Sequence, residues 1–319
     1  MNPILVSIII PCYNVEDYVG ECLDSALAQI YRPIEIIAVD NNSTDKTLEI
    51  LKKYEQKYPD LITVLEEEKQ GAPAARNKGM TIAKGEWLQF LDADDILLPN
   101  KLMIQIKLID LNPKIIMVIG THQNKSLDNS VKVYPPNQDD VFMALAKCDL
   151  GYTVCNLFRQ MPENIRPVWE NKLNGAQDND YILKYLKIDK NAIVFDFEPS
   201  TIRRERLVGQ ITKTNLSTFN LSCFEFQLNL LNYIKANYFE HYEREKRFYM
   251  ANLYYFVYRI SIYDLDIGFI IYKKYFGSNY YMRKKDNERI SFIHCIGYHV
   301  LGFKQYVNLR KFIKVVSKV

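Results

Sequence analysis

Residues 6–11 read VSIIIP, a nearly continuous apolar run that is rich in β-branched residues. Such a run is typical of a strand buried on both faces of a parallel sheet. It is followed by Asn14, which we interpret as a helix N-cap, and by apolar residues at helical spacing from Val19 to Ile30. A strand followed by a helix is the first unit of an α/β domain.

The same order recurs along the first 120 residues. Further apolar runs lie at 35–39, 61–65 and 87–91, with helical patterns between them. They predict an α/β fold with a mostly parallel central sheet. Functional side chains are expected just beyond the carboxyl ends of the strands. Asp40 and the acidic run Asp92–Asp95 lie there.

The strand–helix turns lack the glycine signatures of two common nucleotide sites. Neither GxGxxG nor GxxxxGK[ST] occurs in the chain. Asp92 and Asp94 are instead separated by one residue, with Asp95 as a spare ligand. Paired carboxylates suit Mg²⁺ or Mn²⁺, which bind through one or two carboxylates plus substrate phosphates. The alternative is that Asp94 or Asp95 caps the following turn.

The net charge of +3 conceals two regions of opposite charge. Residues 241–319 carry 15 Lys and Arg against 6 Asp and Glu, together with 12 of the 23 Tyr, whereas residues 1–240 carry 26 against 32. This asymmetry favours an acidic partner for the tail. We find no apolar run long enough for a membrane span and no signal peptide, so we expect a cytoplasmic protein. The six Cys form no CxxC pair, which favours buried free thiols.

The resemblance to a known family rests on four stretches: VSIIIPCYNVEDYVGECLDSALAQ from Val6, EIIAVDNNSTDKT from Glu35, GAPAARNKGMTIAKGEWLQFLDADD from Gly71 and a weaker GAQDNDYILKYL from Gly175. In their order and spacing they resemble family 2 glycosyltransferases, which are inverting enzymes. The resemblance implies the GT-A-type nucleotide-diphospho-sugar transferase fold, a mostly parallel sheet flanked by helices. It covers about residues 1–210.

Carried over by position, the family pattern implies a donor site, a metal site and a base. The donor site would be formed by Pro11, Tyr13, Asn14, Glu16, Asp40, Asn42, Arg76, Asn77, Asp92 and Arg203. Asp40 would contact the nucleobase, and Asp94 with Asp92 would bind Mn²⁺ or Mg²⁺ on the diphosphate. Asp178 would be the catalytic base, with Asp180 as its rival. Trp169 could stack on a sugar ring or pack in the core.

The implied reaction transfers a sugar from a nucleotide-diphospho-sugar, expected to be UDP-linked, to an acceptor hydroxyl during cell-surface polysaccharide or glycolipid synthesis. A divalent metal can stabilise the leaving diphosphate, and one carboxylate can take the acceptor proton. Two alternatives stay open. A nucleotidyltransferase would be expected to carry a glycine-rich N-terminal loop, which is missing. A non-catalytic nucleotide-sugar or glycan-binding module is kept open by Gln177, where relatives have Glu.

We expect two regions. Residues 1–215 would form the catalytic domain, divided into a nucleotide-sugar half, 1–120, and an acceptor half, 121–215. Residues 216–319 would form a helical basic and aromatic extension. Its charge and the apolar segment 290–303 suggest peripheral binding to an anionic membrane that carries the glycan or lipid-linked acceptor. A homo-oligomer contact is the alternative, and no nucleic-acid partner is expected because no recognition module matches.

Overall fold

The computed structural model describes residues 3–205, 216–277 and 301–316, with side chains up to residue 310 in the last range. The chain divides into two compact units. The first comprises Met1–Lys172 and Gln177–Leu207, and the second comprises Leu173–Ala176 and Val208–Val319.

The first unit contains nine strands and six α-helices within its described residues. The strands are β1 Val6–Cys12, β2 Ile34–Asp40, β3 Ile62–Glu66, β4 Trp87–Phe90, β5 Ile96–Leu97, β6 Met117–Lys125, β7 Val131–Tyr134, β8 Leu157–Arg159 and β9 Ile193–Arg204. The helices are α1 Val19–Leu27, α2 Thr47–Lys57, α3 Ala72–Ile82, α4 Lys101–Leu111, α5 Val141–Lys147 and α6 Gln177–Asp189. A short 3₁₀ turn spans Glu163–Ile165.

The strands form one sheet in the order β3-β2-β1-β4-β8-β6-β9-β5, with β7 paired to β6. The first four strands are all parallel, as expected. Beyond them the sheet is mixed: β8 is antiparallel to β4 and β6, while β9 is parallel to β6. The α/β class is therefore confirmed, with its parallel part in the first half. Antiparallel pairs need no crossover helix, which explains why the strand–helix periodicity fades after residue 120.

Strand β1 is buried on both faces, as its composition predicted. Ile8, Ile9 and Ile10 are all fully buried. Helix α3 approaches one face so closely that a Cβ on Gly79 would lie 2.6 Å from a methyl group of Ile9. This contact explains a glycine in the middle of a helix. Helix α1 contributes Leu23 to the core on the opposite face.

The structure corrects two sequence expectations. Asn14 does not cap α1, which begins at Val19; its backbone is left-handed, with φ of 48°, and its Oδ1 accepts a hydrogen bond from the Thr44 amide at 2.8 Å. The side chain joins two loops instead of capping a helix. The thiol prediction fails at Cys148, which is exposed, whereas the other described cysteines are buried and all five are free.

The second unit is helical in its described residues, as expected. Its helices are α7 Leu216–Asn237, α8 Phe239–Tyr263, α9 Leu265–Phe276 and α10 Phe303–Val316. Asn252 of α8 donates to Gln227 of α7 at 3.0 Å in the interior. Tyr272 stacks on Phe303 at 4.2 Å between ring centroids. No helix in the described part of the chain has the length and apolarity to cross a membrane. Residues 290–300 of the predicted apolar segment 290–303 lie outside the described residues.

Candidate active site

The carboxyl end of β2 presents a buried acid. Asp40 is buried, and its Oδ2 accepts the Ser43 amide at 3.2 Å. Its Oδ1 has no hydrogen-bond partner among the described residues. A buried carboxylate oxygen without a donor is energetically costly, so this atom is available to an N–H group of a ligand.

The loops after β1 and β2 are fastened to each other by side-chain acceptors. Asn14 accepts the Thr44 amide, and Glu16 Oε2 accepts the Lys46 amide at 2.9 Å. Both side chains therefore hold the loop backbone that surrounds the predicted nucleobase pocket. Tyr13, in contrast, is 48% exposed and presents its ring at the surface.

Two other predicted donor residues lie at the same edge of the sheet. Pro11 pairs in register with Val39 one residue before the end of β1. Asn42 follows Asp40 with a left-handed backbone, φ 64°. Asn41, which the sequence did not single out, accepts the Gly71 amide at 2.6 Å and so holds the start of α3 beside β2. Asx side chains that tie loops carry no distinctive spacing, so nothing in the sequence pointed to Asn41.

Arg76 of α3 lies at the centre of the site. Its side chain is 4% exposed, and its Nη2 donates to Asp92 Oδ1 at 2.6 Å. The guanidinium lies 4.3 Å from the ring centroid of Trp169, which is buried and stacks on Tyr181 at 4.2 Å. Trp169 therefore packs in the core. Within the described residues Nε and Nη1 of Arg76 have no acceptor, which leaves two N–H groups for an anion.

Asn77, the neighbour of Arg76, forms a two-point contact with the backbone of Trp169. Its Nδ2 donates to the Trp169 carbonyl at 2.9 Å, and its Oδ1 accepts the Trp169 amide at 2.8 Å. The amide group is therefore used to hold Trp169 under the Arg76 guanidinium. Its predicted contact with the donor stays a prediction.

The acidic side chains after β4 differ in their exposure to solvent. Asp92 is partly exposed and Asp94 is half-buried. Asp95 is buried, and its Oδ1 accepts the Arg204 amide at 3.1 Å. Burial, reinforced by the charges of Asp94 and Asp92, raises the pKa of Asp95 well above its usual range. Asp95 is therefore a structural acid and not the spare metal ligand that the sequence suggested.

Asp92 and Asp94 fit a divalent ion whose other ligands come from a bound substrate. No cluster of three or more His, Cys, Asp or Glu side chains in the described ranges could hold a metal unaided. Mg²⁺ and Mn²⁺ need only one or two carboxylates when phosphate oxygens supply further ligands. Asp92 and Asp94 meet that requirement.

Asp178 lies in the first turn of α6, where the charges of Arg76 and Asp92 act on it. Its Oδ1 accepts the Thr153 hydroxyl at 3.1 Å. Burial raises the pKa of Asp178, the positive charge of Arg76 opposes that rise, and the charge of Asp92 adds to it. Asp180 is buried and its Oδ2 pairs with Lys184 at 2.8 Å. The structure therefore brings Asp178, and not Asp180, into contact with the turn beside the site.

Arg203 belongs to a cluster that the sequence did not reveal. Its guanidinium lies 4.2 Å from the ring centroid of Tyr152, and Tyr152 meets the ring of His122 edge-on at 4.9 Å. His122 stacks on Tyr134 at 5.0 Å. Burial, together with the charge of Arg203, lowers the pKa of His122 to about 4. These residues come from three strands and a loop, so no local motif could identify them.

The family model and the related sequences both identify the chain as similar to glycosyltransferases. The family described as glycosyl transferase family 2 matches residues 7–163. An uncharacterized glycosyltransferase of Rickettsia prowazekii is 38% identical over 226 residues, 67% of this chain and 67% of that protein. The poly(ribitol-phosphate) beta-glucosyltransferase of Bacillus spizizenii is 45% identical over 93 residues, which span 28% of this chain and only 15% of that enzyme.

Solved structures share the fold at low sequence identity. S. aureus TarS in complex with UDP-GlcNAc superposes with a TM-score of 0.61 at 20% identity, covering 96% of this chain and 88% of that chain. The mannosyltransferase PcManGT from Pyrobaculum calidifontis, in complex with GDP-Man and Mn²⁺, gives a TM-score of 0.52 at 17% identity, covering 86% and 82%. The expected GT-A-type fold is therefore confirmed.

Proposed function

The chain belongs to glycosyl transferase family 2, and from that premise we propose that it transfers a sugar, with inversion, from a UDP-linked donor to a hydroxyl of a cell-surface glycan. The observation that carries the proposal is the buried Arg76 guanidinium, which pairs with Asp92 and whose charge also acts on Asp178. TarS, solved with UDP-GlcNAc, supports a UDP donor, and the poly(ribitol-phosphate) beta-glucosyltransferase supports a cell-surface acceptor.

For the donor, we assign the nucleobase to the loops after β1 and β2. The orphan Oδ1 of Asp40 would accept an N–H of the base, and the exposed ring of Tyr13 would stack on it. The two free N–H groups of Arg76 would face the diphosphate, where a guanidinium forms strong charge-assisted hydrogen bonds. The predicted contacts of Asn14, Glu16 and Asn42 belong to the same pocket.

For the metal, Asp92 and Asp94 would hold Mn²⁺ or Mg²⁺ together with the donor phosphates. Arg76 donates one hydrogen bond to Asp92 Oδ1, and the carboxylate keeps lone pairs with which it would bind the ion. When bound, the ion would neutralise negative charge on the departing nucleoside diphosphate. PcManGT, solved with Mn²⁺, supports this use of the fold.

For the chemistry, Asp178 acts as the general base. It takes the proton of the acceptor hydroxyl, whose oxygen then forms a bond to the anomeric carbon. The bond from that carbon to the diphosphate oxygen breaks, and the nucleoside diphosphate leaves with the electron pair. A single displacement from the opposite face inverts the anomeric centre. Burial and Asp92 raise the pKa of Asp178, which makes it a stronger base than an ordinary exposed carboxylate.

Asp178→Asn tests the catalytic assignment, with Asp180→Asn as the matched control on the same helix. We expect Asp178→Asn to lower kcat by at least 10²-fold, the lower bound for a general base, and to leave the Kd for UDP within twofold. Asp180→Asn should retain kcat within a few-fold, because Asp180 pairs with Lys184. Full turnover of Asp178→Asn would refute the base assignment.

A thermal-shift screen tests the donor assignment. UDP, GDP, dTDP and CDP are each compared with and without Mn²⁺. We expect UDP with Mn²⁺ to raise Tm most, because a ligand that binds only the folded state stabilises it by mass action. If all four nucleotides leave Tm unchanged, the donor site is wrongly assigned.

We further propose that the second unit binds anionic membrane surfaces peripherally. Helix α9 exposes Ile270 (66%) and carries Lys273 and Lys274 in its last turn. Lys273 and Lys304 both lie about 5 Å from the ring centroid of Phe269. Exposed apolar and basic groups of this kind favour interfacial binding.

Co-sedimentation with anionic and neutral vesicles tests the membrane proposal. We expect salt-sensitive binding to the anionic vesicles, reduced by Ile270→Glu. The control is Leu111→Glu, because Leu111 is equally apolar and 83% exposed but lies in the first unit. Equal binding to both vesicle types, or equal loss with both variants, would contradict the assignment of this surface.

A further inference from the structure

We infer that Thr153 is a positioning residue, which orients the carboxylate of Asp178 for proton abstraction by holding one of its two oxygens. This inference rests on the proposed function, because it assumes that Asp178 is the base. No family motif pointed to Thr153, which lies in the irregular stretch between α5 and β8.

The geometry leaves one oxygen of Asp178 held and the other open. Thr153 is 1% exposed, and its hydroxyl donates to Asp178 Oδ1 at 3.1 Å. Among the described residues no other hydrogen bond reaches the Asp178 carboxylate. Since a hydroxyl carries one proton, the contact engages Oδ1 and leaves Oδ2 to receive the acceptor proton.

The turn that carries Thr153, residues 152–156, is anchored from three elements of the first unit. Gln89 of β4 donates to the Val154 carbonyl at 2.8 Å. Gln105 of α4 donates to the Cys155 carbonyl at 2.9 Å. Each donor is a fully buried amide, and a hydrogen bond of this kind is costly to break in the interior.

Two further bonds hold the last residue of the turn. Lys101 Nζ, also on α4, donates to the Asn156 carbonyl at 3.4 Å, and the Gly120 amide of β6 donates to Asn156 Oδ1 at 3.0 Å. The backbone directly after Thr153 is therefore held by four hydrogen bonds within the first unit, and the Thr153 hydroxyl is directed at Asp178. A base that is oriented in advance avoids reorganisation during the reaction.

The charged neighbours of Asp178 cannot supply the same orientation. Arg76 and Arg203 attract its charge and Asp92 repels it, but among the described residues neither guanidinium donates a hydrogen bond to Asp178: Arg76 pairs with Asp92, and Arg203 lies against Tyr152. They influence how readily the carboxylate is ionised. The hydrogen bond from Thr153 is the directional contact, so it determines where the two oxygens point.

The test compares Thr153→Val, which removes the hydroxyl at nearly constant shape, with Thr153→Ser, which keeps it. UDP release from UDP-GlcNAc and UDP-glucose is followed over a range of donor concentrations that reaches saturation, which gives both kcat and the donor KM. We expect Thr153→Val to lower kcat by about 10- to 100-fold, as for a small misplacement of a catalytic group. The donor KM should stay within twofold, and Thr153→Ser should recover kcat to within about threefold of wild type.

Thr121→Val provides the matched structural control. Thr121 is buried in the same unit, and its hydroxyl donates to the Asp196 carbonyl at 3.0 Å and not to Asp178. We expect Thr121→Val to lower Tm about as much as Thr153→Val does and to leave kcat unchanged. That result would show that loss of a buried hydroxyl is not by itself the cause of the lower kcat. A Thr153→Val enzyme with wild-type kcat, or a Thr153→Ser enzyme as slow as Thr153→Val, would overturn the inference.

The Asp178→Asn background separates the two proposals. There Thr153→Val should cause no further loss, because positioning acts only through the carboxylate. If Asp178→Asn retains turnover, or if the wild type releases no UDP, the proposed function itself fails. If Asp178→Asn is inactive while Thr153→Val is normal, the function stands and only the role of Thr153 is removed.

Discussion

Lys101 is a buried amine on α4, and replacing it by Met should alter how stability depends on pH. Lys101 is 0% exposed, and among the described residues its Nζ has one hydrogen-bond partner, the Asn156 carbonyl at 3.4 Å. Burial lowers the pKa of Lys101 to about 7, against the opposing charges of Cys155 and Asp196. The ordinary value is 10.5, so the folded state releases this proton long before the unfolded chain does.

The shifted pKa of Lys101 makes the free energy of unfolding depend on pH through proton linkage. Between about pH 7 and pH 10 the unfolded state holds a proton that the folded state lacks, so the free energy of unfolding rises with pH. The slope from one such group is about 1.4 kcal/mol per pH unit. Between pH 7.5 and 9.0 the wild type should therefore gain about 2 kcal/mol relative to Lys101→Met. The Lys101→Met variant also lacks one hydrogen bond, which is worth about 1 kcal/mol at every pH. The quantity to compare is therefore the slope of the free energy of unfolding against pH in the two proteins.

Urea denaturation followed by tryptophan fluorescence measures this slope in the first unit alone. The chain has two Trp, and both Trp87 and Trp169 are buried in that unit. Lys107→Met is the control, because Lys107 lies on the same helix but is exposed. It should follow the wild-type slope. Parallel curves for wild type and Lys101→Met over this pH range would refute the reasoning.

Three further predictions concern the site and its supports. Asp94→Asn should remove most of the additional Tm gain from Mn²⁺ in the presence of UDP, whereas UDP alone should stabilise it as in wild type. Asn77→Ala should lower the free energy of unfolding by about 2–3 kcal/mol, since it leaves the Trp169 amide and carbonyl without partners; urea titration measures this, with exposed Thr81→Ala as the control. Gly120→Ala should destabilise more strongly, because the added Cβ would lie 2.2 Å from the Cys155 carbonyl oxygen; an unchanged Tm would contradict that close approach.

The first half of the sheet and the positions of its acids could be predicted because their signals are local. A buried parallel strand reads as an apolar run, and it ends where polar residues begin. Asp40 and Asp92–Asp94 were therefore placed correctly at strand ends. The second half gave weaker signals, because β8 and β9 join the sheet through long-range pairings that leave no periodic trace.

The different roles of neighbouring acidic residues could not be predicted from the sequence. Asp92 and Asp95 are three residues apart and chemically identical, yet one faces the site and the other is buried against the Arg204 amide. Asp178 and Asp180 are only two residues apart, yet one bonds Thr153 and the other pairs with Lys184. Burial and the identity of the nearest partner decide these roles, and both arise from residues distant in the chain.

The resemblance to the family, the strand–helix order of residues 6–91 and the acids at the strand ends can be read from the sequence, because adjacent residues carry that information. Which groups meet depends on the folded chain. It brought Arg76 under Asp92, placed Thr153 against Asp178, and buried Lys101 behind the turn that holds Thr153. The physical reason is that a carboxylate's protonation and orientation depend on the charges and hydrogen-bond donors within a few ångströms of it. In a folded chain those groups come from segments tens of residues away.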